Sequence, residues 1–336
     1  MQIPKTTLAK RFGLKYPFGQ QGMAVNISDV DLIVAGVKEK ILPTLAGAGL
    51  IAKQLRNKII QIKKRVKGKF GVNLMVSLED FDELLDVCIE EKVDFVTLGA
   101  GFSKDAIRKL KEKSIFCFVI VSSLRAAKLA AKLEADGLIL EAPDKAGGHL
   151  GIQEKDPEKI KEHLKVSVFD LLEKIIPVLR EKNFEGSIVV AGGITRGWQM
   201  KKAFNMGADL IGFGQFFAMT NESGASDDVK QEWVKAKKTK IIMSPVGLPG
   251  RVIDTQETDN LPEAPDNGRC RRCLAYCKKN YCIFEALQNS TTKKNQKKVI
   301  PLSEKLIFAS DSVGEINNII SVKQRVQQLK QELERA

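Results

Sequence analysis

Short, continuously apolar runs recur along the first two thirds of the chain, at 16–24, 41–47, 70–76, 93–101, 114–121, 135–142, 187–194 and 208–214. They are apolar at successive positions rather than alternate ones, the pattern of strands covered on both faces. Between them lie amphipathic stretches such as "LIAKQLRNKIIQIKKRVK", "LEDFDELLDVCIEEK", "SLRAAKLAAKLE" and "VFDLLEKIIPVLREK". Several open near Ser, Thr or Asp, whose side chains can accept from the exposed amides of a helix's first turn. Eight strands with a helix in each gap predict a (β/α)8 barrel, in the α/β class. An open doubly wound sheet would show the same alternation. Closure is preferred because a barrel leaves no edge strand to protect. The barrel is expected over residues 1–225. Residues 226–336 read as a smaller, mostly helical, cysteine-containing extension that holds "SPVGLPGR" (244–251), a cysteine cluster and a closing helix packed on the barrel or on a partner subunit.

Chemistry in such a barrel gathers at the C-terminal ends of the strands. Nearly every expected strand here ends in glycine or a small polar residue, among them Gly22, Asn73, Gly99, Gly192–Gly193 and Gly214. The segments "VVAGGITRG" and "LIGFGQFF" place bare amides after strands 7 and 8, where a phosphate can be gripped by backbone donors. A phosphorylated ligand or cofactor is therefore expected there. "DKAGGHLG" (144–151) follows strand 6 on the same rim and carries His149, one of two histidines. Imidazole exchanges protons near neutral pH, and the glycines let a ligand approach the main chain. His163, in a charged stretch, reads as a surface residue.

In order, "QGMA", "GVNLMV", "AGGHLG", "VVAGGITRG" and "GADLIGFGQFF" resemble the nitronate monooxygenase family, FMN-dependent barrels related to the FMN-containing enoyl-acyl-carrier-protein reductases. The resemblance implies Gly22 and Met23 near the isoalloxazine and Asn73 on its polar edge. It implies Glu141, Gly147 and Gly148 lining the ring, with Gly192, Gly193, Gly214 and Gln215 holding the phosphate. It places His149 beside flavin and substrate, able to abstract an α-proton from a nitroalkane or to hydrogen-bond a nitronate. The implied activity is oxidation of alkyl nitronates with O2. The alternative on the same scaffold is NAD(P)H-dependent reduction of an enoyl thioester. Two departures stand out: Asp144–Lys145 where one residue is usual, and Gln215–Phe216 where Thr–Arg is usual.

Cys270, Cys273, Cys277 and Cys282 are spaced C-x2-C-x3-C-x4-C. Four thiolates so close suit Zn2+ or an iron–sulfur cluster. The alternative is reduced cysteines packed in a small helical subdomain. Clustered cysteines without a secretory signal point to a reducing cytoplasm. No apolar run approaches the ~20 residues that span a bilayer. Lys and Arg exceed Asp and Glu by 54 − 41 = 13. The excess is dispersed over helix faces, with no evident base-stacking platform. A solvated surface, or attraction of anionic small molecules, is expected rather than a nucleic-acid site. A basic, non-catalytic nucleic-acid-binding or scaffold protein is the third reading, and it rests on charge alone. A small-molecule substrate is the expected partner, with a homo-oligomer left open.

Overall fold

The structure is a computed structural model that describes residues 3–152, 154–244, 247–255, 273–274, 282–291, 301–302 and 305–336. Eight parallel strands close into a barrel: β1 (Phe18–Gln20), β2 (Leu42–Ala46), β3 (Gly71–Met75), β4 (Phe95–Gly99), β5 (Phe116–Val121), β6 (Gly137–Glu141), β8 (Ser187–Ala191) and β9 (Leu210–Phe213). The label β7 belongs to the two-residue strand Gly148–His149 between β6 and β8, outside the barrel wall. The open-sheet alternative fails at the seam, where β1 pairs with β9 through Phe18↔Ile211 and Gly19↔Gly212. Each expected run overlaps an observed strand but extends past it. The surplus falls at both ends: Gly22, Gly192–Gly193 and Gly214 lie in the rim loops, whereas Asp94, Asp136 and Asp209 precede their strands at the opposite end.

Alternation along the strands sorts the core into two layers. Val96, Leu98, Cys117, Val119, Leu138, Leu140, Ile188, Val190 and Ile211 face outward into the helix layer. Leu42, Phe95, Phe116, Phe118, Ile139, Val189 and Leu210 face inward. The N-terminal helix Thr7–Phe12 closes the barrel floor, capped by the Thr6 hydroxyl. Its Phe12 ring meets Phe95 and Phe116 edge-on, with centroids 5.7 and 5.6 Å away. Aromatic rings thus pack the floor, at the end opposite the rim.

The closing helix Val322–Arg335 packs against the helices Gly197–Asn205, Val30–Lys38 and Gln215–Ala218. It thereby takes the place of the eighth barrel helix. The chain between β9 and this helix is an excursion within a strand-to-helix connection rather than a tail. That excursion carries a hairpin, β10 (Thr239–Met243) and β11 (Pro249–Ile253), beyond the eight expected runs. β11 then pairs antiparallel with β7, giving a three-stranded sheet over the rim. The last helix buries Val322, Val326, Leu329 and Leu333 at a 3–4 residue spacing, one face of an amphipathic helix.

Candidate active site

The rim is assembled by close approaches that glycine permits. A Cβ on Gly22 would lie 2.4 Å from the Asn73 Cβ, so the loop after β1 reaches Asn73 because that position is bare. Asn73 stands in register between Ala46 and Thr97 on the inward face. The Met23 Sδ lies 3.8 Å from where a Gly214 Cβ would be, which joins the first and last strand loops. Gly192 and Gly193 both have positive φ, +83° and +81°. A Cβ on Gly193 would stand 2.9 Å from the Lys145 Cγ, and one on Gly147 would stand 2.7 Å from the Ala309 and Ser310 backbone. The sequence-assigned residues thus form three contacting groups around the C-terminal end of the barrel. Gly22 meets Asn73, Met23 meets Gly214, and Gly192–Gly193 meet the turn after β6.

Gln215 opens the short helix Gln215–Ala218 directly after β9. Its Oε1 accepts the Ser310 N–H at 3.1 Å, while its Nε2 is buried with no partner in the protein. A buried amide donor without an acceptor is costly, and a phosphate offers acceptors alone. The bare, positive-φ turn Gly192–Gly193 and this orphaned donor fit a phosphorylated cofactor. Phe216, which stands where the resembled family usually has an arginine, is buried. A cation still stands near it: the buried Arg325 guanidinium of the closing helix lies 5.4 Å from the Phe216 ring centroid.

Glu141 ends β6 on the inward face, half-buried. Burial pushes its carboxyl up to about 7. His149 is drawn away from the barrel wall by β7, where it pairs with Gly250 of β11. Its Nε2 lies 2.8 Å from the Ser244 Oγ, and the Phe308 ring stands edge-on with centroids 5.2 Å apart. Burial lowers its pKa to about 4, so the imidazole is neutral at pH 7. A neutral ring accepts a hydrogen bond at one nitrogen and donates at the other. His163 ends the helix Pro157–His163 exposed, as a surface residue.

Three contributors were missed by sequence reasoning. Ser244 and Arg251 lie at the ends of "SPVGLPGR", a segment noted as a motif without roles for its members. Phe308 carried no signal. Arg251 is buried and donates to the carbonyls of Pro143, Asp144 and Ala146, at 3.1, 2.8 and 3.0 Å. The longer turn at Asp144–Lys145 is therefore held from outside, and Lys145 also pairs with Asp311.

Of the cysteine cluster, Cys270 and Cys277 lie outside the described residues. Cys273 and Cys282 are half-buried. Cys273 reaches the loop after β3, its carbonyl accepting from Glu79 N–H at 3.4 Å. Cys282 precedes the helix Ile283–Asn289. Among the described residues no group of three His, Cys, Asp or Glu side chains could hold a metal. No helix among them is long and apolar enough to cross a membrane. A groove of about 770 Å3 opens beside Arg11, Lys111, Asp136 and Ser187 at the N-terminal ends of the strands. It lies at the opposite end of the barrel from His149, so size alone does not mark the chemistry.

The family model described as nitronate monooxygenase matches residues 79–332. Among curated relatives, the (3aS,4S,5R,7aS)-5-hydroxy-7a-methyl-1-oxo-octahydro-1H-indene-4-carboxyl-CoA dehydrogenase of Rhodococcus jostii (strain RHA1) is 26% identical over 289 residues, covering 85% of this chain and 75% of that protein. A probable nitronate monooxygenase of Staphylococcus aureus (strain MSSA476) is 22% identical over 307 residues, covering 78% and 83%. Among solved structures, FabK from Thermotoga maritima superposes with a TM-score of 0.81 at 26% identity, covering 99% of this chain and 97% of that one.

Proposed function

The chain belongs to the nitronate monooxygenase family and is an FMN-dependent oxidoreductase, and from that premise we propose that it oxidises alkyl nitronates with O2. FMN is the usual cofactor of the family. Here Gly192, Gly193, Gly214 and Gln215 would hold its phosphate, with Gly22, Met23, Asn73, Glu141, Gly147 and Gly148 around the ring. When bound, FMN would supply the redox chemistry between substrate and O2.

The observation that carries the substrate reading is the half-buried, neutral imidazole of His149 against the Ser244 hydroxyl. A group held near 4 is a weak base at neutral pH, poorly matched to pulling an α-proton from a nitroalkane. It is well suited to a substrate that arrives already as an anion. One proton of the pair lies in the Nε2–Oγ hydrogen bond, which leaves a single donor, the ring N–H or the hydroxyl, for an anionic oxygen, and a donor in a water-poor site stabilises such an oxygen strongly. The net charge of +13 favours the approach of such an anion. The test is an oxygen-electrode assay of the flavin-loaded protein with preformed nitronate and no nicotinamide. Oxygen uptake with nitronate, and little with the parent nitroalkane, supports the reading. FMN-loaded protein inert to nitronates sinks it.

A second reading, NAD(P)H-dependent reduction of an enoyl thioester, is favoured by the likeness to FabK and by a relative whose name includes a carboxyl-CoA group. Anaerobic bleaching of the flavin by NADPH, reversed by an enoyl thioester, would select it. A purified protein without flavin, binding RNA or DNA in a salt-sensitive way, would revive the scaffold reading.

A further inference from the structure

Arg251 belongs to none of the groups that touch a reacting atom, yet its guanidinium is nearly removed from solvent, at 6% exposure. Three of its five contacts are directed at one turn. Nε donates to the Ala146 carbonyl, and Nη2 to those of Pro143 and Asp144. Nη1 reaches the Thr239 Oγ1 at 3.3 Å and the Asp311 Oδ1 at 3.2 Å. The remaining carbonyl, that of Lys145, accepts the Asp311 N–H at 3.1 Å. Every carbonyl from 143 to 146 is thus bound from the inserted segment. The next three residues are Gly147, Gly148 and His149, and the two glycines carry no side chain to anchor them.

The main chain of Arg251 is equally engaged. It pairs with Gly148 while Gly250 pairs with His149, and its carbonyl accepts the Ala309 N–H at 3.2 Å. An ion pair with the half-buried Asp311 is a weak reason to bury a guanidinium, because desolvation cancels most of the Coulomb gain. The carbonyl contacts are what the group accomplishes there. A planar fork with donors in fixed directions can bridge several carbonyls at once, whereas an ammonium is a point charge with three rotating donors.

We infer that Arg251 is a positioning residue for His149, the side chain that locks the turn after β6 so that the imidazole is held against Ser244 and away from bulk water. The kinetic consequence rests on the reading of His149 as a substrate-facing group, but the positional claim does not. Without the guanidinium, three of the four carbonyls of residues 143–146 lose this donor, and the strand pairing at β7 is two residues long. The His149 loop then opens, and water reaches the ring.

The chain's two histidines make a direct test practical. Full-length flavin-loaded protein carrying H163Q and 15N-labelled histidine reports the His149 ring alone in an NMR titration. Its midpoint is expected near 4 with Arg251 present, and to move more than one unit toward the ordinary 6.5 in R251M and in R251K. In the same variants kcat/KM for nitronate, expressed per bound flavin, is expected to fall at least tenfold. D311N keeps the carbonyl contacts and is expected to leave the midpoint in place. An unchanged midpoint in folded R251K or R251M overturns the inference. So does a D311N shift as large as that of R251K, which would make charge rather than the fork responsible. If R251M does not fold, R251K decides. Inertness to nitronate with a shifted midpoint removes the proposed substrate while leaving the positional role upheld.

Discussion

The His149 Nε2 and the Ser244 Oγ stand 2.8 Å apart although 95 residues separate them in the chain. The contact exists because β11 lays the inserted hairpin along β7, bringing the start of "SPVGLPGR" over the imidazole. Ser244 is itself buried and His149 half-buried, so the hydroxyl has no water as a ready substitute. S244A should therefore leave an imidazole nitrogen without its partner. A loss of about 1–2 kcal/mol in stability is expected, and roughly a tenfold drop in kcat/KM. Thermal unfolding and oxygen-uptake kinetics check this; a variant with unaltered kinetics would remove Ser244 from the site.

The acid limb of stability should carry the signature of His149. Its pKa in the folded protein, about 4, lies below the ordinary 6.5 because burial disfavours the charged ring. Between those values the unfolded chain takes up a proton that the folded one refuses. Stability is then lost as pH falls from 6.5 to 4, by at most roughly 3 kcal/mol. In H149Q that portion of the acid destabilisation should vanish, as followed by urea unfolding at successive pH values.

Glu141 acts in the opposite sense. Burial raises its carboxyl from 4.5 to about 7, so between these values the folded protein retains a proton that the unfolded chain releases. Stability falls as pH rises through that window, and above 7 the full cost of a buried carboxylate is present. E141Q should accordingly be more stable than the parent at pH 8 and indistinguishable below pH 4.5. Melting temperatures of the flavin-free proteins across pH 4–9 test this, and an E141Q advantage at low pH would contradict it.

Gly193 is constrained twice, by a φ of +81° and by the Lys145 Cγ at 2.9 Å from any added Cβ. G193A should cost about 1–3 kcal/mol and should shift the turn against which a cofactor phosphate would rest. Flavin content after purification is expected to fall, which absorbance at the flavin bands measures directly.

The same contact sets Lys145 across the Gly193 turn, with its ammonium paired to Asp311. Removing the cation leaves Asp311 less compensated beside the phosphate residues. K145M should weaken FMN several-fold and leave riboflavin, which lacks the phosphate, unaffected. Fluorescence titration of flavin-free protein separates the two; an equal loss for both flavins would show a change of shape rather than of charge.

The barrel was legible because it is a local matter. Runs such as "SIFCFVIV" and "ADGLILEA" are apolar at every position, since both faces of a parallel strand are covered, and the glycines at their ends mark the rim. His149 and the glycines around it could be named for the same reason: each is defined by its own neighbours in sequence. The strand limits were less legible. At 16–24 the pairing stops at Gln20, and the rest of the run serves the approach of Gly22 to Asn73, which apolarity alone does not distinguish from pairing.

What the sequence determined by itself is the wall of the barrel, with the expectation of a phosphorylated ligand at its rim, because hydrophobic period and glycine placement are properties of adjacent residues. What tertiary structure decided is the state of that chemistry. The segment between β9 and the closing helix folds back so that Ser244, Arg251, Phe308 and Asp311 surround the turn after β6. A histidine's proton affinity depends on who surrounds it and whether water can enter, and those neighbours are recruited across the chain by strand pairing and buried hydrogen bonds rather than by any spacing along it.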